Sequence, residues 1–226
     1  MSWSLTNWHR NRILQHEGIA DAVWQKLIHL RCLKGLSLEE LLRLRECATL
    51  FLHDKKFYGA HELEITEEMR ATIALQACIL ILNLDLDYYR SWSQIIVYPG
   101  EFMLDYDYED EFGIVHHVQH AASGEAWSDG PVILSWQDAL EPASHLGENV
   151  VIHEFAHKID MLYEGANGCP ELHANMSAYT WHEVFSTAYK KFCRQVDRQQ
   201  ETVIDPYAAE SPAEFFAVLS EAFFEL

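Results

Sequence analysis

In the first third of the chain, apolar residues recur three or four positions apart, which is the spacing of one helix face. The first such run contains Ile19, Val23, Leu27 and Leu30. A second helix is predicted to begin after Ser37, because a Glu three residues later completes the sequence of a capping box. A third helix is predicted from about Thr66, with acidic residues in its first turn. Together these patterns predict a helical amino-terminal part over residues 1–90.

The pattern changes near residue 92, where short apolar runs end at turn residues. This is typical of strands, and it predicts them over residues 94–98, 111–117 and 131–136. Residues 131–136 fit two interpretations, an edge strand that pairs with an extended peptide or an ordinary core strand. Residues 105–111 alternate acids with tyrosines, and we interpret them as a solvated turn.

Helical patterns return in the last third of the chain. They cover about residues 148–162 and 177–198, and a final helix begins at Ser211-Pro212, with Ser as its N-cap and Pro in its first turn. The order of helices, then strands, then helices predicts the α+β class. A length of 226 residues fits one domain, 1–226, in which strands and helices over 91–226 follow the helical part.

Composition and charge exclude several classes of protein. Hydrophobic residues make up 49% of the chain, which excludes intrinsic disorder. The formal charge of −19 argues against direct binding of nucleic acid or of an anionic membrane surface, and it is compatible with a basic protein partner. An odd number of cysteines, five, without a CxxC motif, favours free thiols. With no apolar signal segment and no stretch long enough to span a membrane, we expect a soluble cytoplasmic protein.

Two of the 13 histidines belong to an HExxH motif, His153-Glu154-Phe155-Ala156-His157, inside an apolar helical segment. Residues four apart share a helix face, so both imidazoles can bind one zinc ion. Glu154 would lie beside the metal and could take a proton from a water molecule. A buried apolar helix has little reason to carry these side chains inward unless they bind something, and we therefore predict a metal site.

Two histidines leave zinc short of a protein ligand, and spacing alone does not identify the third. The metzincin pattern requires Gly and His where this chain has Asp160 and Tyr163, so that class is excluded. A carboxylate or imidazole from another element is expected instead. The helical candidates are Glu183, Glu214 and Glu221, and the others are Asp160, His173 and His182. Glu214 also fits a capping box with Ser211, and Asp160 fits two roles, a carboxylate that orients His157 and a plain acid on the helix face.

The HEFAHKID motif, together with the segment DPYAAESPAEFFAVLSE, resembles the Mlc titration factor A family of bacterial zinc metallopeptidases. The resemblance extends to IALQACILIL, VYPGEF and SGEAWSDGPVILSW, and so covers most of the chain. It implies a zincin-like fold similar to the catalytic domain of anthrax lethal factor. By the same resemblance, Glu214 matches the third ligand of a single zinc ion. Tyr207 matches a tyrosine that hydrogen-bonds the developing oxyanion, and Glu154 matches the general base.

The resemblance implies that the protein is a zinc-dependent peptidase of the aminopeptidase type, which acts on peptide substrates. It also implies binding of the glucose repressor Mlc, which would regulate the sugar phosphotransferase system. One alternative is a purely regulatory, repressor-titrating protein whose metal site is incidental. A second alternative is a helical domain with a vestigial site.

Overall fold

The computed structural model describes residues 2–109, 115–140, 147–162 and 165–226. The α-helices in these ranges are α1 (Ser2–His16), α2 (Asp21–Leu27), α3 (Leu38–Asp54), α4 (Glu67–Leu80), α5 (Trp136–Leu140), α6 (Val150–Asp160), α7 (Ala178–Asp197) and α8 (Pro212–Glu225). The strands are β1 (Lys56–Gly59), β2 (Gln94–Tyr98), β3 (Phe102–Glu109), β4 (Val115–Ala122), β5 (Gly124–Ala126) and β6 (Val132–Ser135). Short 3-10 helices span Arg31–Leu33, Leu86–Tyr89 and Pro206–Ala209. The mixed class predicted from the sequence is confirmed.

Helix starts follow the capping chemistry of the sequence. Ser37 and Glu40 form the predicted capping box of α3, in which the Ser37 amide donates to the Glu40 carboxylate at 2.8 Å. Thr66 caps α4 by accepting from the Met69 amide at 3.2 Å. Each cap satisfies a backbone amide that has no partner within its helix, so these helices begin where the sequence predicts.

Four strands form a sheet in the order β1-β2-β6-β5. The first three run parallel, and the short β5 pairs antiparallel with β6. Strand β6 therefore lies inside the sheet, and of the two interpretations of residues 131–136 the structure supports the core strand. The strand at this edge of the sheet is β5 instead. Strand β1 lies within the part of the chain predicted to be helical, and four residues carry too little alternation to reveal it.

Strands β3 and β4 form a separate antiparallel hairpin. Residues 105–109 belong to β3, so the prediction of a solvated turn there was wrong. Acids and tyrosines alternate with the period of a strand, and that period, not the polarity, decided the structure. The predicted strand over 111–117 is found from Val115 onward, and residues 110–114 lie outside the described residues.

The main core lies between the four-stranded sheet and helices α3, α4 and α6. Its centre is a cluster of edge-to-face aromatic rings from Phe51, Tyr89, Trp92 and Phe155. The Tyr89 hydroxyl donates to the Ala77 carbonyl of α4 at 2.9 Å, which satisfies a polar group in an apolar interior. Because Phe155 belongs to α6, this core fixes one face of the HExxH helix.

The turn between β5 and β6 is fastened to α6 by a buried lysine. The Lys158 ammonium donates to the carbonyls of Trp127, Ser128 and Gly130, the last at 3.0 Å. An ammonium has three donors, so three carbonyls satisfy it. The edge strand is thereby anchored to the helix that packs against it. Within the described ranges, none of the helices combines the length and the apolar character that crossing a bilayer demands.

Candidate metal centre

The helix that carries the HExxH motif, α6, is capped by Asn149, whose side chain accepts from the Ile152 amide at 3.0 Å. One face of α6 is buried in the core, and the other faces a cavity. His153 and His157 lie one turn apart on the cavity side, with their Nε2 atoms 3.1 Å from each other. The four-residue spacing therefore brings both imidazoles to one point, as the sequence predicted.

Helix α8 packs against α6 and brings Glu214 to the same point. Glu214 Oε2 lies 3.0 Å from His153 Nε2 and 3.3 Å from His157 Nε2. The Glu214 amide donates to Ser211 Oγ at 3.1 Å, so the backbone of Glu214 serves the helix cap while its carboxylate meets the histidines. The capping box that the sequence also offered is therefore only half formed, because the Glu214 carboxylate lies against the histidines.

These three side chains fit the geometry that zinc requires. In a tetrahedral site with zinc–nitrogen bonds of about 2.0–2.1 Å, neighbouring ligand atoms are about 3.3 Å apart. The observed separations of 3.0 to 3.3 Å are close to that value. In the part of the chain that the structure describes, this is the only group of three or more His, Cys, Asp or Glu side chains that could hold a metal ion.

Glu221, one of the candidate third ligands, holds the other side of His153. Its Oε1 lies 2.7 Å from His153 Nδ1, and its second oxygen accepts from the Asn149 amide. Asn149 also donates through its side chain to Glu225 at 2.8 Å. This contact leaves His153 Nε2 facing Glu214 and His157, so Glu221 fixes the orientation of the His153 ring.

The remaining candidates lie elsewhere. Asp160 is buried, and its Oδ2 accepts from the Asn167 and Gly168 amides, both at 2.7 Å. It therefore holds the loop after α6, and the structure supports neither of the two roles considered for it. Glu183, His173 and His182 are exposed, and the ligand group does not include them.

The charges of the ligand group depend on one another. Burial of the His153 ring opposes a positive charge, but hydrogen bonds to Glu214 and Glu221 outweigh it and raise the pKa of His153 to about 10. Burial also opposes ionisation of Glu214, yet hydrogen bonds from His153 and His157 lower its pKa to about 2. A proton and a metal ion thus compete for the same imidazole, so metal binding would release a proton.

Glu154 and Tyr207 line the same cavity, whose volume is about 530 Å³. Glu154 is only 6% exposed, and burial raises the pKa of its carboxyl to about 7 against the opposing effect of the two histidines. The Tyr207 ring lies 6.1 Å from that of His153. Burial and the nearby carboxylates of Glu214 and Glu210 raise the Tyr207 pKa, so its phenol keeps its proton.

Sequence reasoning missed several residues around the cavity. Strand β5 forms one wall, and Gly124, Glu125 and Ala126 line it. Three residues give no usable alternation, so the sequence carried no signal for this strand. Asn149 was also missed, although an Asn before an apolar helical run is an N-cap signal that could have identified it.

Comparison with known proteins agrees with this geometry. The family described as glucose-regulated metallo-peptidase M90 matches residues 5–226. Mlc titration factor A of Cronobacter sakazakii is 35% identical over 209 residues, which are 91% of this chain and 78% of that protein. The protein of the same name from Salmonella agona is 35% identical over 220 residues, 96% of this chain and 82% of its own. The chain belongs to the M90 family of glucose-regulated metallopeptidases.

Proposed function

We propose that this protein is a zinc-dependent peptidase whose site is built from His153, His157, Glu154, Glu214 and Tyr207. The observation that carries the proposal is the convergence of two imidazoles and a carboxylate at tetrahedral spacing in the wall of a cavity. Membership of a metallopeptidase family supports it independently. The aminopeptidase type and the zincin-like arrangement rest on the resemblance in sequence.

In this proposal His153, His157 and Glu214 would hold one zinc ion. When bound, zinc would supply a Lewis acid that polarises the scissile carbonyl and makes water more acidic. Glu154 takes the proton of the attacking water on its carboxylate and later donates it to the leaving amine. A carboxyl whose pKa is raised to about 7 suits both steps near neutral pH.

Tyr207 supplies a hydrogen bond to the oxyanion in this proposal. Asp205 caps its 3-10 helix by accepting from the Tyr207 amide at 2.8 Å, which fixes the backbone of the residue. The phenol is half-exposed to the cavity and stays protonated. A donor held where negative charge develops stabilises the transition state more than the substrate.

The substrate would bind as an extended peptide along β5. This strand is one of the two edges of the four-stranded sheet, and its three residues line the cavity. A peptide can bind to such an edge by adding a further strand to the sheet. Such binding would lay the scissile bond across the face of α6 that carries the histidines.

Replacing Glu154 with Gln tests the general base. Glu154→Gln should lower the rate of peptide hydrolysis by about 10²–10⁴-fold, because the amide accepts no proton from water. Zinc content should stay at one ion per chain, since Glu154 is not part of the ligand group. The assay measures kcat on a short peptide with a free amino terminus. The acetylated counterpart of the same peptide shows whether hydrolysis needs that free terminus. Glu183→Gln, at an exposed site on α7, is the matched control. Undiminished hydrolysis by Glu154→Gln would rule out the assigned mechanism.

Removing the phenol hydroxyl tests Tyr207. Tyr207→Phe should lower kcat by about 10²–10³-fold, the usual loss for one oxyanion donor, with little change in KM or in zinc content. Tyr179→Phe is the matched control, because Tyr179 is exposed on α7 and does not line the cavity. Wild-type kcat in Tyr207→Phe would remove this residue from the mechanism.

A second candidate function, which the first does not exclude, is binding of the repressor Mlc. The observation that favours it is the name of the relatives, Mlc titration factor A. A chain with a formal charge of −19 suits a partner with a basic surface, because complementary charge speeds association and lowers competition from wrong partners.

Binding to purified Mlc separates the two functions. We expect wild type and Glu154→Gln to capture Mlc equally, because sequestration needs no general base. Capture should weaken as salt is raised, since screening reduces attraction between exposed charges. The measurement is a pull-down at low and at high ionic strength. Lack of capture by either form at low salt would argue against this function.

A further inference from the structure

Gly124 opens strand β5 at the point where that strand faces the middle of α6. We propose that Gly124 is a positioning residue for Glu154: the absence of a side chain at residue 124 sets where the Glu154 carboxylate lies. The inference rests on the proposed role of Glu154 as the general base. Gly124 has no side-chain functional group, so its role is to leave space for Glu154.

The contact between the two residues is close. A Cβ added at Gly124 would lie 2.6 Å from Glu154 Cγ and 2.7 Å from Cδ, and it would also collide with Oε1. Ordinary contact between carbon atoms needs about 3.5–4.0 Å. The three atoms nearest to that added Cβ all belong to Glu154, so the closest contact that the glycine permits is with this side chain.

Backbone conformation does not explain the glycine. The described glycines with positive φ are Gly35, Gly147, Gly165 and Gly168, and Gly124 is not among them. Residue 124 pairs with Leu134 in an ordinary antiparallel register. An alanine could therefore adopt the same backbone, and the constraint at residue 124 is one of space alone.

The strand has little freedom to retreat from the helix. Gly124, Glu125 and Ala126 pair with β6, whose Val132 and Leu134 are fully buried. The Ser135 amide donates to the Ser123 carbonyl at 2.7 Å on one side of β5. Beyond its other end, Lys158 ties the following turn to α6. Moving β5 away would break these bonds in the buried layer of the sheet.

The helix is fixed as well, so the side chain of Glu154 must yield. Phe155 is fully buried in the aromatic cluster, and His153 is held by Glu214 and Glu221. The collision involves Cγ as well as the carboxylate, so rotating the carboxylate alone does not relieve it. Glu154 would have to change rotamer, and the base would leave its place beside the metal ligands.

Gly124→Ala tests this positioning role. The variant should keep one zinc per chain, because the atoms nearest to the added methyl belong to Glu154, which is not part of the ligand group. Its kcat should fall by about 100-fold, as expected for a base displaced by about 1 Å. The control is Gly100→Ala, whose Cβ would meet only the Gln137 side chain at 3.4 Å, and which should keep wild-type kcat. A Gly124→Ala enzyme with wild-type kcat would overturn the proposal.

A thermal unfolding cycle tests the contact without any activity assay. In the wild-type background, Gly124→Ala should lower Tm by about 2 °C or more, because overpacking destabilises a buried contact. In the Glu154→Ala background, which lacks Cγ, the same change should raise Tm by about 1–4 °C, the usual gain when a glycine becomes alanine without strain. If Gly124→Ala does not fold alone, recovery of folding in the double variant supports the contact.

An equal loss of Tm in both backgrounds would show that the methyl collides with something other than Glu154, and it would overturn the proposal. Because this cycle needs no hydrolysis, it still tests the contact if the wild-type protein cleaves no peptide. Failure of the proposed function and failure of this inference are therefore distinguishable.

Discussion

The packing of α8 against α6 is the constraint on which the site depends. It places one carboxylate on each side of His153, with Glu214 at Nε2 and Glu221 at Nδ1. A buried charge is tolerated only when it is paired, and removing one partner of such a pair costs about 3–5 kcal/mol. The polar side chains of the two helices therefore lock their relative position, and the same contacts that align the helices shape the metal centre.

Helix α6 also determines where the edge strand β5 lies. Its core face is held by Phe155, its end is tied by Lys158 to the turn after β5, and Glu154 lies against Gly124. Helix and edge strand thus form one unit. Groups that must meet a substrate need placement within a fraction of an ångström, and rigid elements give that placement more readily than loops.

Local signals in the sequence predicted much of this arrangement. The capping residues Ser37 and Ser211 marked helix starts, and the HExxH spacing placed two imidazoles on one face of a helix. Spacing did not choose between Glu214 and Glu221, because residues seven apart share a helix face. That choice depends on where α8 is positioned along the axis of α6. This position is set by tertiary packing, which local sequence patterns do not contain.

The elements that the sequence did not predict are short or carried a misleading composition. Strand β5 has three residues, and its role as the edge follows from the order of the sheet. The acidic segment in β3 alternated with period two, but its polarity favoured the interpretation as a turn. The importance of Gly124 depends on a contact with a residue thirty positions away, which no local pattern contains.

Zinc titration of the wild type, Glu214→Ala and Glu221→Ala tests the central claim most directly. Wild type should bind one zinc ion per chain, and Glu214→Ala should lose tight binding. Glu221→Ala should bind one ion about 10–100-fold more weakly, because it keeps the three ligands and loses the partner of His153 Nδ1. Tight binding in Glu214→Ala, with binding abolished in Glu221→Ala, would contradict the account.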